Sequence, residues 1–384
     1  MQRVAVTGTN GKTSTVEFAR QLFDLTGHRA ASYGTLGLVT PSGRDPEPSL
    51  SLGRLAVPAF LSRLKADGFN VVTLEAYSSS LVGDIFERVS VSVAAFTNLT
   101  RDHLDVHGDV ESYFAAKRSL FEDVLRADGT AVVNLDDDRA EALIDCCRDR
   151  GVDVVTYGRK DRADISIREI SPTSTGTVLE LSVQGQAANI ECNLIGDIMV
   201  ENACCALACV ISTGVEMTEA LEAMGHLEPP PGRLERVCVH QGAEVFVDYA
   251  HTPAALAAVL KTLQKRNGGD VVVVFGCGGD RDRGKRRRMG AVAGEHADSI
   301  IVTDDNPRTE DPATIREAVL DGCPDARECS PRERAISTAF DETTVGDVVL
   351  VAGKGHERTQ VIDGETQDFS DRDIVRRLAT TARK

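Results

Sequence analysis

Lys12 and Thr13 are the residues near the N-terminus whose types and spacing could do chemistry, because they close the sequence GTNGKT that begins at Gly8. An apolar strand is predicted at residues 4–6, and a helix with one apolar face is predicted after the loop. A strand, a glycine turn and a helix N-terminus in this order direct backbone N–H groups at one point, as a triphosphate requires. We therefore expect Lys12 to reach the β- and γ-phosphates and Thr13 to bind Mg²⁺.

This loop is shorter than the general pattern G-x-x-x-x-G-K-[ST], which requires glycine where Val6 stands. A glycine turn with an incidental lysine is therefore the alternative interpretation. The predicted strand and helix on either side favour the phosphate loop.

Further polar residues follow predicted strands in the first half of the chain. Glu75 ends the strand VVTLEA, and a carboxylate at a strand end beside a phosphate loop is a natural ligand for the Mg²⁺ of a nucleotide. The segment FTNLTRDHLDVHGD places His103 and His107 four residues apart, which suggests a zinc pair. Its interspersed aspartates favour magnesium with one histidine ligand, and a purely structural loop is the alternative. Lys117, on the helix predicted next, has the pattern of a surface residue.

Four polar loops follow predicted strands in the second half of the chain: VDYAHTP, GCGGDRDRGKR, TDDNPRTEDP and AGKGHE. Ligands of parallel sheets bind at the carboxyl ends of the strands, so we expect these loops to lie at one edge of a sheet. Arginine holds a carboxylate in a fork, and a carboxylate or an amide holds an ammonium group. The loops therefore predict a pocket for a zwitterion, with purely structural loops as the alternative.

The composition predicts a soluble protein of two domains or more, since the chain has 384 residues and a hydrophobic content of 42%. The formal net charge of -16 argues against a nucleic-acid partner, and the short basic run RDRGKRRR indicates a local anion site. We find neither a secretory signal pattern nor an apolar run near the roughly 20 residues that span a bilayer, so we expect no membrane contact and a cytoplasmic location. None of the ten cysteines belongs to a C-x-x-C pair, and we expect small buried side chains rather than metal ligands or disulfides.

Predicted strands and helices alternate along the chain, which indicates the α/β class. We expect a P-loop-type doubly wound central ATPase domain followed by a smaller Rossmann-like α/β domain. A strand-rich stretch is predicted at residues 152–194 and a helix at about residues 200–213. Three consecutive prolines in HLEPPPGRLER, residues 226–236, mark a linker, because proline cannot lie inside a helix or a central strand. The predicted domains are residues 1–226 and 227–384.

A series of longer motifs contains these residues and extends over essentially the whole chain: VTGTNGKTST, NLTRDHLDVHG, YFAAKRSLF, PPGRLERV, VDYAHTPAAL, FGCGGDRDRGKRRRMG, TDDNPRTEDP and VAGKGHE. Their order resembles that of the Mur ligase family. The chain looks most like the branch that adds the third amino acid to UDP-N-acetylmuramoyl-L-alanyl-D-glutamate. This resemblance implies ATP-dependent amide formation, in which a donor carboxylate becomes an acyl phosphate and the amine of an incoming amino acid displaces phosphate.

The resemblance also implies roles for individual residues. Thr13 and Glu75 match the family's ligands for one Mg²⁺, and His103 and Lys117 match those for a second Mg²⁺. Lys117 matches a lysine that carries a carbamate, which turns a cation into an anionic ligand. The implied catalytic residues are Lys12, Glu75, His103 and Lys117. The implied nucleotide-binding residues are Gly8, Thr9, Asn10, Gly11, Lys12, Thr13, Ser14, Asn202, Arg233, Asp248 and His251.

The acceptor implied by the resemblance is meso-diaminopimelate. The form DNPR around Arg308 is associated with this amino acid, whose second carboxylate gives the arginine a partner, whereas lysine would present an ammonium group. The implied substrate-binding residues are Thr40, Ser78, Arg88, Arg281, Asp305, Asn306, Arg308, Gly355 and Glu357.

Two departures from the family concern the donor. Family members carry a further domain of roughly a hundred residues that holds UDP before the phosphate loop, whereas Val4 already begins the predicted ATPase strand. Tyr77 stands where the family usually has serine, Ser79 stands where it has histidine, and the loop LGLVTPSG keeps Thr40 but loses the preceding threonine. We therefore expect a donor that lacks UDP. We also expect the protein to act as a monomer.

Three alternatives remain at this point. The first is an ordinary peptidoglycan precursor ligase whose UDP domain is removed or supplied by a separate chain. The second is a non-catalytic ATP-binding homologue, against which the retained phosphate-loop and metal-site residues argue. The third is a generic ATPase or kinase, in which the predicted amino-acid pocket would have no purpose.

Overall fold

The computed structural model describes residues 1–45, 56–83, 85–86, 89–102, 104–266 and 268–381. The chain folds into two compact units, Met1–Glu228 and Pro229–Lys384. Each unit has its own central sheet and its own hydrophobic core.

The first unit is built on one large sheet. Its strands are β1 (Gln2–Thr7), β2 (Ala30–Gly34), β3 (Gly37–Thr40), β4 (Gly43–Asp45), β5 (Val71–Glu75), β6 (Val91–Phe96), β7 (Leu125–Asn134), β8 (Asp153–Gly158), β9 (Ile165–Pro172), β10 (Thr177–Val183) and β11 (Gln186–Cys192). They lie in the order β11-β10-β9-β8-β7-β6-β1-β5-β2-β3-β4. Neighbours from β9 through β1 to β2 pair in parallel, and antiparallel strands extend both ends.

The helices of the first unit are α1 (Lys12–Leu25), α2 (Ala56–Ala66), α3 (Ser78–Val82), α4 (Leu104–His107), α5 (Val110–Ser119), α6 (Ala140–Asp149), α7 (Asp197–Ile211) and α8 (Met217–Met224). A π-helical turn, Leu120–Val124, follows α5. The apolar face predicted for α1 is confirmed, because its Val, Phe, Ala and Leu side chains from Val16 to Phe23 are at most 2% exposed. Helix α7 is almost wholly buried against α1, and its alanines and cysteines are small enough to permit that packing.

The second unit has a smaller sheet and a separate hairpin. Its strands are β12 (Glu235–His240), β13 (Ala243–Asp248), β14 (Val271–Phe275), β15 (Ser299–Val302), β16 (Arg327–Glu328), β17 (Val348–Ala352), β18 (Thr359–Ile362) and β19 (Glu365–Asp368). The sheet has the order β12-β13-β17-β14-β15-β16, and β18 pairs with β19 alone. All neighbours in the larger sheet are parallel except β12 and β13. The helices are α9 (Pro253–Gln264), α10 (Gly284–His296), α11 (Pro312–Leu320), α12 (Arg332–Glu342) and α13 (Asp371–Thr381).

The expected α/β class is confirmed in both units. Strands β14 and β17 read VVVVF and VVLVA, and every one of their residues is buried. Continuous apolar runs of this kind suit parallel strands that helices cover on both faces. The polar loops that follow β13, β14, β15 and β17 therefore leave the sheet at one edge, where such sheets bind ligands.

The burial expected of the cysteines is confirmed for eight of the ten. All ten are free thiols, and all but Cys146 and Cys238 are buried. Burial raises the pKa of the Cys277 thiol to about 12, so this side chain is a neutral apolar group near pH 7. In the part of the chain that the structure describes, no helix is long and apolar enough to cross a membrane.

A fully buried ion pair ties two helices of the second unit to two strand-end loops. Arg332 of α12 and Asp371 of α13 are both 0% exposed, and the Arg332 Nε and Nη2 atoms lie 2.8 Å from the two Asp371 oxygens. Arg332 also donates to the carbonyl oxygens of Asp304, at 3.2 Å, and Ala352, at 2.8 Å. Asp304 and Ala352 belong to two of the predicted pocket loops, TDDNPRTEDP and AGKGHE. Loss of the guanidinium would therefore leave a buried carboxylate and two carbonyls unpaired.

We predict that Arg332→Met lowers the free energy of unfolding of the second unit by about 3–5 kcal/mol. The control is Arg377→Met on the same helix pair, whose exposed ion pair with Glu333 should contribute about 1 kcal/mol or less. Urea denaturation followed by circular dichroism measures both variants. Equal effects of the two substitutions would contradict a structural role of the buried pair.

Candidate functional site

The predicted phosphate loop lies between β1 and α1, and two glycines allow its close contacts. Gly8 has φ 149°, and a Cβ atom at this position would lie 1.9 Å from Thr97 Oγ1. Gly11 has φ 86°, and its Cβ atom would lie 2.2 Å from Asn202 Oδ1. Any other residue would therefore clash at both positions. Asn202, a buried residue of α7 that the family resemblance implies as a nucleotide contact, lies against this loop.

The segment after β6 holds this loop in place. The Thr9 N–H donates to the Asn98 carbonyl oxygen at 2.8 Å, and the Asn10 N–H donates to Asn98 Oδ1 at 2.9 Å. The Thr97 hydroxyl donates to the Asn10 carbonyl oxygen at 2.6 Å. Thr9 Oγ1 accepts from the Thr100 N–H at 2.9 Å. Hydrogen bonds to the segment after β6 therefore determine the conformation of the phosphate loop on that side.

Helix α1 begins directly after Gly11, and no described side chain caps its N-terminus. Lys12, Thr13 and Ser14 form the first turn, and their N–H groups point out of the N-terminal end of the helix. The positive end of the helix dipole lies at the same place. The arrangement can bind an anion through backbone donors.

Two lysines converge on the carbonyl oxygen of Gly8. Lys12 Nζ donates to this oxygen at 2.9 Å and to the Thr9 carbonyl oxygen at 2.8 Å. Lys117 Nζ, from helix α5, donates to the same Gly8 oxygen at 2.8 Å. Both amine groups therefore lie at the phosphate loop, although Lys117 and Gly8 are 109 residues apart in the chain.

Lys117 is a buried side chain, so the surface position that its sequence pattern suggested is wrong. It is 1% exposed, and its Nζ lies 4.2 Å from the ring centroid of Tyr113. Burial, and secondarily the positive charge of Lys12, lowers the pKa of Lys117 to about 6, while the nearby Asp102 opposes this change. Burial also raises the pKa of the Tyr113 hydroxyl to about 12. The Lys117 amine is therefore largely uncharged near pH 7.

Glu75 lies where β5 ends, paired in register with Val6 of β1. It is 6% exposed. Its Oε1 accepts from the Thr35 N–H at 2.8 Å, and its Oε2 accepts from the Thr35 hydroxyl at 3.0 Å. The Thr35 hydroxyl also lies 2.9 Å from the Tyr77 hydroxyl. Tyr77, one of the two unusual donor-side residues, is thereby connected to the predicted metal ligand.

The remaining predicted residues of the first unit fall into two groups. Ser78 lies at the start of α3, with its hydroxyl 2.9 Å from His107 Nε2, and Thr40 ends β3 and donates to the Gly43 carbonyl oxygen at 3.2 Å. His103 and Arg88 lie outside the described residues. Among the residues that are described, no group of three or more histidine, cysteine, aspartate or glutamate side chains could hold a metal ion.

In the second unit, Asn306 and Glu357, two of the predicted substrate-binding residues, lie in contact. Asn306 Nδ2 donates to Glu357 Oε2 at 2.9 Å. Lys354 Nζ donates to Asn306 Oδ1 at 3.1 Å and to Glu357 Oε2 at 2.9 Å. The three side chains form an amide, carboxylate and ammonium cluster, which we call the Asn306 cluster.

Arg308 is held beside this cluster in a strained backbone conformation, with φ 57°. The hairpin supplies two backbone hydrogen bonds to it: the Arg308 N–H donates to the Val361 carbonyl oxygen at 2.9 Å, and the Gly364 N–H donates to the Arg308 carbonyl oxygen at 3.2 Å. Arg308 Nη1 donates to the Gly279 carbonyl oxygen at 2.5 Å. The guanidinium thus reaches the loop after β14. The same loop carries the exposed Arg281.

The predicted nucleotide residues of the second unit gather around Tyr249. The Arg233 guanidinium carbon lies 4.4 Å from the Tyr249 ring centroid, and the His251 ring centroid lies 4.6 Å from it. Asp248 accepts from the N–H groups of Leu234 and Ala250, each at 2.6 Å, and burial raises the pKa of its carboxyl. The aspartate therefore shapes the backbone around this aromatic group rather than facing solvent.

Two other predicted residues complete the description of the second unit. Gly355 packs against Tyr249 and Gly232, so closely that a Cβ atom on it would lie 2.7 Å from the Gly232 carbonyl oxygen. Asp305 is 8% exposed, and its carbonyl oxygen accepts from Gln360 Nε2 at 2.6 Å.

Several residues of these sites were not singled out from the sequence. Thr35 and Gln360 carry no pattern that distinguishes them from other polar residues. The burial of Lys117 had a signal, because it follows Tyr113 by four residues and Phe114 by three, which places all three on one helical face. Lys354 belongs to a predicted loop, but the sequence does not indicate that it is fully buried or that it bonds Asn306 and Glu357.

Comparison with family models identifies both halves of the chain. A model described as the Mur ligase middle domain matches residues 6–210. A model described as Mur ligase, glutamate ligase domain, matches residues 232–355.

Similar curated proteins bear one name, UDP-N-acetylmuramoyl-L-alanyl-D-glutamate--2,6-diaminopimelate ligase. The protein of that name from Zymomonas mobilis is 45% identical over 370 residues, which are 94% of this chain and 75% of the relative. The one from Caulobacter vibrioides is 41% identical over 375 residues, which are 96% of this chain and 77% of the relative.

Solved structures give the same fold. A structure of a UDP-N-acetylmuramoyl-L-alanyl-D-glutamate--2,6-diaminopimelate ligase superposes with a TM-score of 0.73 at 34% identity, covering 100% of this chain and 79% of that chain. A folylpolyglutamate synthase from Mycobacterium tuberculosis, complexed with ADP and AMPPCP, gives a TM-score of 0.74 at 21% identity and covers 92% of this chain and 88% of that chain. The second likeness supports the fold alone.

We predict that Lys117→Met changes how stability depends on pH. The folded protein holds the Lys117 pKa at about 6, well below the ordinary lysine value of roughly 10.4 in the unfolded chain. Between these values the unfolded chain binds more protons, so this residue makes the free energy of unfolding rise with pH. The variant lacks that contribution and should lose stability relative to the wild type from about pH 7 to about pH 10.

Urea denaturation at several pH values, in buffers free of carbon dioxide, measures this difference. The control is Lys65→Met, which removes an exposed lysine of α2 and should give a difference that does not change with pH. A constant difference for Lys117→Met as well would show that the Lys117 amine is charged in the folded protein.

Proposed function

The chain belongs to the Mur ligase family of ATP-dependent acid–amino-acid ligases, and on that premise we propose that it joins diaminopimelate to the carboxylate of a peptide donor. The observation that carries the proposal is the pocket of Asn306, Arg308 and Glu357 in a chain 45% identical to a ligase named for diaminopimelate. The donor favoured by that similarity is UDP-N-acetylmuramoyl-L-alanyl-D-glutamate.

ATP would bind at the loop of residues 8–13. Backbone N–H groups of the uncapped α1 N-terminus and the ammonium group of Lys12 supply donors for phosphate oxygens. Lys12 would exchange its bonds to the Gly8 and Thr9 carbonyl oxygens for bonds to the nucleotide. Asn202, which lies against this loop in the first unit, is the proposed further contact with the nucleotide.

Mg²⁺ would bind through hard oxygen ligands, which fits a hydroxyl at Thr13 and a carboxylate at Glu75. The ion would neutralise charge on the transferring phosphoryl group. Thr35 donates one hydrogen bond to each Glu75 oxygen, so each oxygen retains a lone pair for a cation. A protonated Lys117 does not fit such a site, because an ammonium group has no lone pair.

A carbamate on Lys117 would resolve that misfit. The uncharged amine nitrogen attacks the carbon of carbon dioxide, a C–N bond forms, and one N–H proton leaves to solvent, which yields an anionic carboxylate on Nζ. Burial favours this chemistry because it keeps the amine uncharged near pH 7. His103 is the second proposed ligand of this ion.

The acceptor pocket matches the charges of diaminopimelate. Arg308 offers its guanidinium to a carboxylate, and Glu357 offers its carboxylate to an ammonium group. Arg281, which is exposed, and Asp305 are proposed to complete the pocket. The pocket holds the acceptor so that its amino group can displace phosphate from the activated donor, which forms the amide bond and releases inorganic phosphate.

A second candidate has a donor that lacks UDP. The observation that favours it is the donor-side pair Tyr77 and Ser79. The Tyr77 hydroxyl is bonded through Thr35 to Glu75, so a bulky phenol lies where a smaller serine is usual in the family. Thr40 and Ser78 would contact the donor in either case, together with Arg88.

We predict that the chain releases phosphate with ATP, Mg²⁺ and meso-diaminopimelate when UDP-N-acetylmuramoyl-L-alanyl-D-glutamate is added, and that mass spectrometry detects the amide product. A parallel sample contains free L-alanyl-D-glutamate. Product from the UDP donor supports the first candidate, and product only from the free dipeptide supports the second. Replacing diaminopimelate by L-lysine should reduce product strongly, because Arg308 then lacks a carboxylate partner. Absence of amide in every sample would contradict the ligase proposal.

We also predict a carbamate on Lys117. After incubation with ¹³C-labelled bicarbonate, the carbon NMR spectrum should show a protein-bound carbamate signal that Lys117→Ala removes. Lys65→Ala, which changes an exposed lysine, should retain the signal. A spectrum with no signal that depends on Lys117 would overturn the carbamate assignment.

A further inference from the structure

Lys354 is a fully buried cation that no step of the proposed reaction uses. It follows β17 in the loop AGKGHE and is 0% exposed. Its Nζ atom donates to Asn306 Oδ1 at 3.1 Å, to Glu357 Oε2 at 2.9 Å and to the Thr359 carbonyl oxygen at 2.8 Å. An ammonium group has three donors, so these bonds use all of them. Its position is thus determined by three different parts of the second unit.

The bond from Lys354 determines which way the Asn306 amide points. Asn306 Oδ1 accepts from Lys354 Nζ and also from the Val361 N–H at 3.0 Å. A rotated amide would place its NH₂ group against two donors, which would cost both hydrogen bonds and bring donors into contact. Nδ2 must therefore face the other way, where it donates to Glu357 Oε2 at 2.9 Å.

One Nδ2 hydrogen of Asn306 remains for a ligand. An amide NH₂ group has two donors, and Asn306 is 7% exposed. Within the described residues only Glu357 accepts from this nitrogen. The second N–H can accordingly bind a carboxylate oxygen of an amino acid.

The same ammonium group also determines which oxygen of Glu357 is available. Oε2 accepts from both Lys354 and Asn306. No described residue donates to Oε1, and the side chain is 30% exposed. Oε1 therefore presents an acceptor for an ammonium group, next to the N–H donor of Asn306.

We propose that Lys354 is a positioning residue for the acceptor amino acid: it orients the Asn306 amide and the Glu357 carboxylate so that one donor and one acceptor face the zwitterion. This inference rests on the proposed function, because it assigns the pocket to an amino acid. Lys354 itself does not touch the ligand, since its three donors are bonded within the protein. Its effect should therefore appear in the binding of the acceptor and not in that of ATP.

The test is Lys354→Met, which keeps the length of the side chain and removes the charge. With the productive donor saturating, KM for diaminopimelate should rise about tenfold to a hundredfold, the range expected for a lost hydrogen bond to a charged group. KM for ATP should change less than about twofold. If Lys354→Met does not fold, Lys354→Gln, which retains an amide donor, is measured in the same way.

A double-mutant cycle separates positioning from a general loss of stability. In an Asn306→Ala background, Lys354→Met should raise KM for diaminopimelate much less than in the wild type, because its main target is then missing. The control is Arg266→Met, which removes another buried cation of this unit. Arg266 bonds Glu244 at the start of β13, at the opposite edge of the sheet, so its loss should lower thermal stability and leave KM for diaminopimelate unchanged.

Three results would each overturn the role of Lys354. The first is an equal increase in KM for ATP and for diaminopimelate, and the second is additivity of the two substitutions in the double mutant. The third is an unchanged KM for diaminopimelate. Failure of the proposed function has a different signature, because the wild type would then make no amide. In that case calorimetric titration of diaminopimelate decides the inference: wild-type binding that Lys354→Met weakens about tenfold supports it, and equal binding or no binding refutes it.

Discussion

The carbonyl oxygen of Gly8 accepts hydrogen bonds from two lysine side chains, and the arrangement of the first unit depends on this shared acceptor. Two ammonium groups this close repel each other, and burial strengthens the repulsion. Burial of the Lys117 amine is the larger cause, and this repulsion the smaller one, of the fall of its pKa to about 6. The α1 N-terminus adds the positive end of a helix dipole. In a chain with a formal net charge of -16, this loop is thus a local region of positive potential that can attract an anion.

Buried cations on carbonyl oxygens recur in the second unit. Arg332 donates to the carbonyl oxygens of Asp304 and Ala352, and Lys354 donates to that of Thr359. The last carbonyls of parallel strands have no further strand partner, so loops at this edge must satisfy them in another way. A cation that binds a carbonyl also fixes the loop that carries it. The same contacts that satisfy the backbone therefore position the side chains of the pocket.

The sequence alone was sufficient for the features that depend on local patterns. The strand, glycine loop and helix around Lys12, the apolar runs of β14 and β17, and the polar loops at strand ends follow from periodicity and from residue types. The sequence was insufficient where tertiary packing determines which side chains come into contact. The partners of Glu75 and the bond from Gln360 to the Asp305 carbonyl oxygen join segments that are tens of residues apart, and no local rule couples them. Lys117 is an intermediate case. Its spacing from Tyr113 and Phe114 indicates a buried helical face, but its positive charge favoured a surface position.

Arg308 shows why a motif can mark a pocket without explaining it. The motif supplies the guanidinium, but the residue adopts φ 57°, which costs free energy for any residue with a side chain. Two backbone hydrogen bonds from the hairpin of β18 and β19 offset that cost, and Val361 of the same hairpin binds Asn306 Oδ1. The hairpin therefore fixes both the backbone of the arginine and the amide beside it. In the proposed pocket, recognition of the acceptor would therefore depend on this hairpin, and on Lys354, which binds its first residue, as well as on the residues that touch the amino acid.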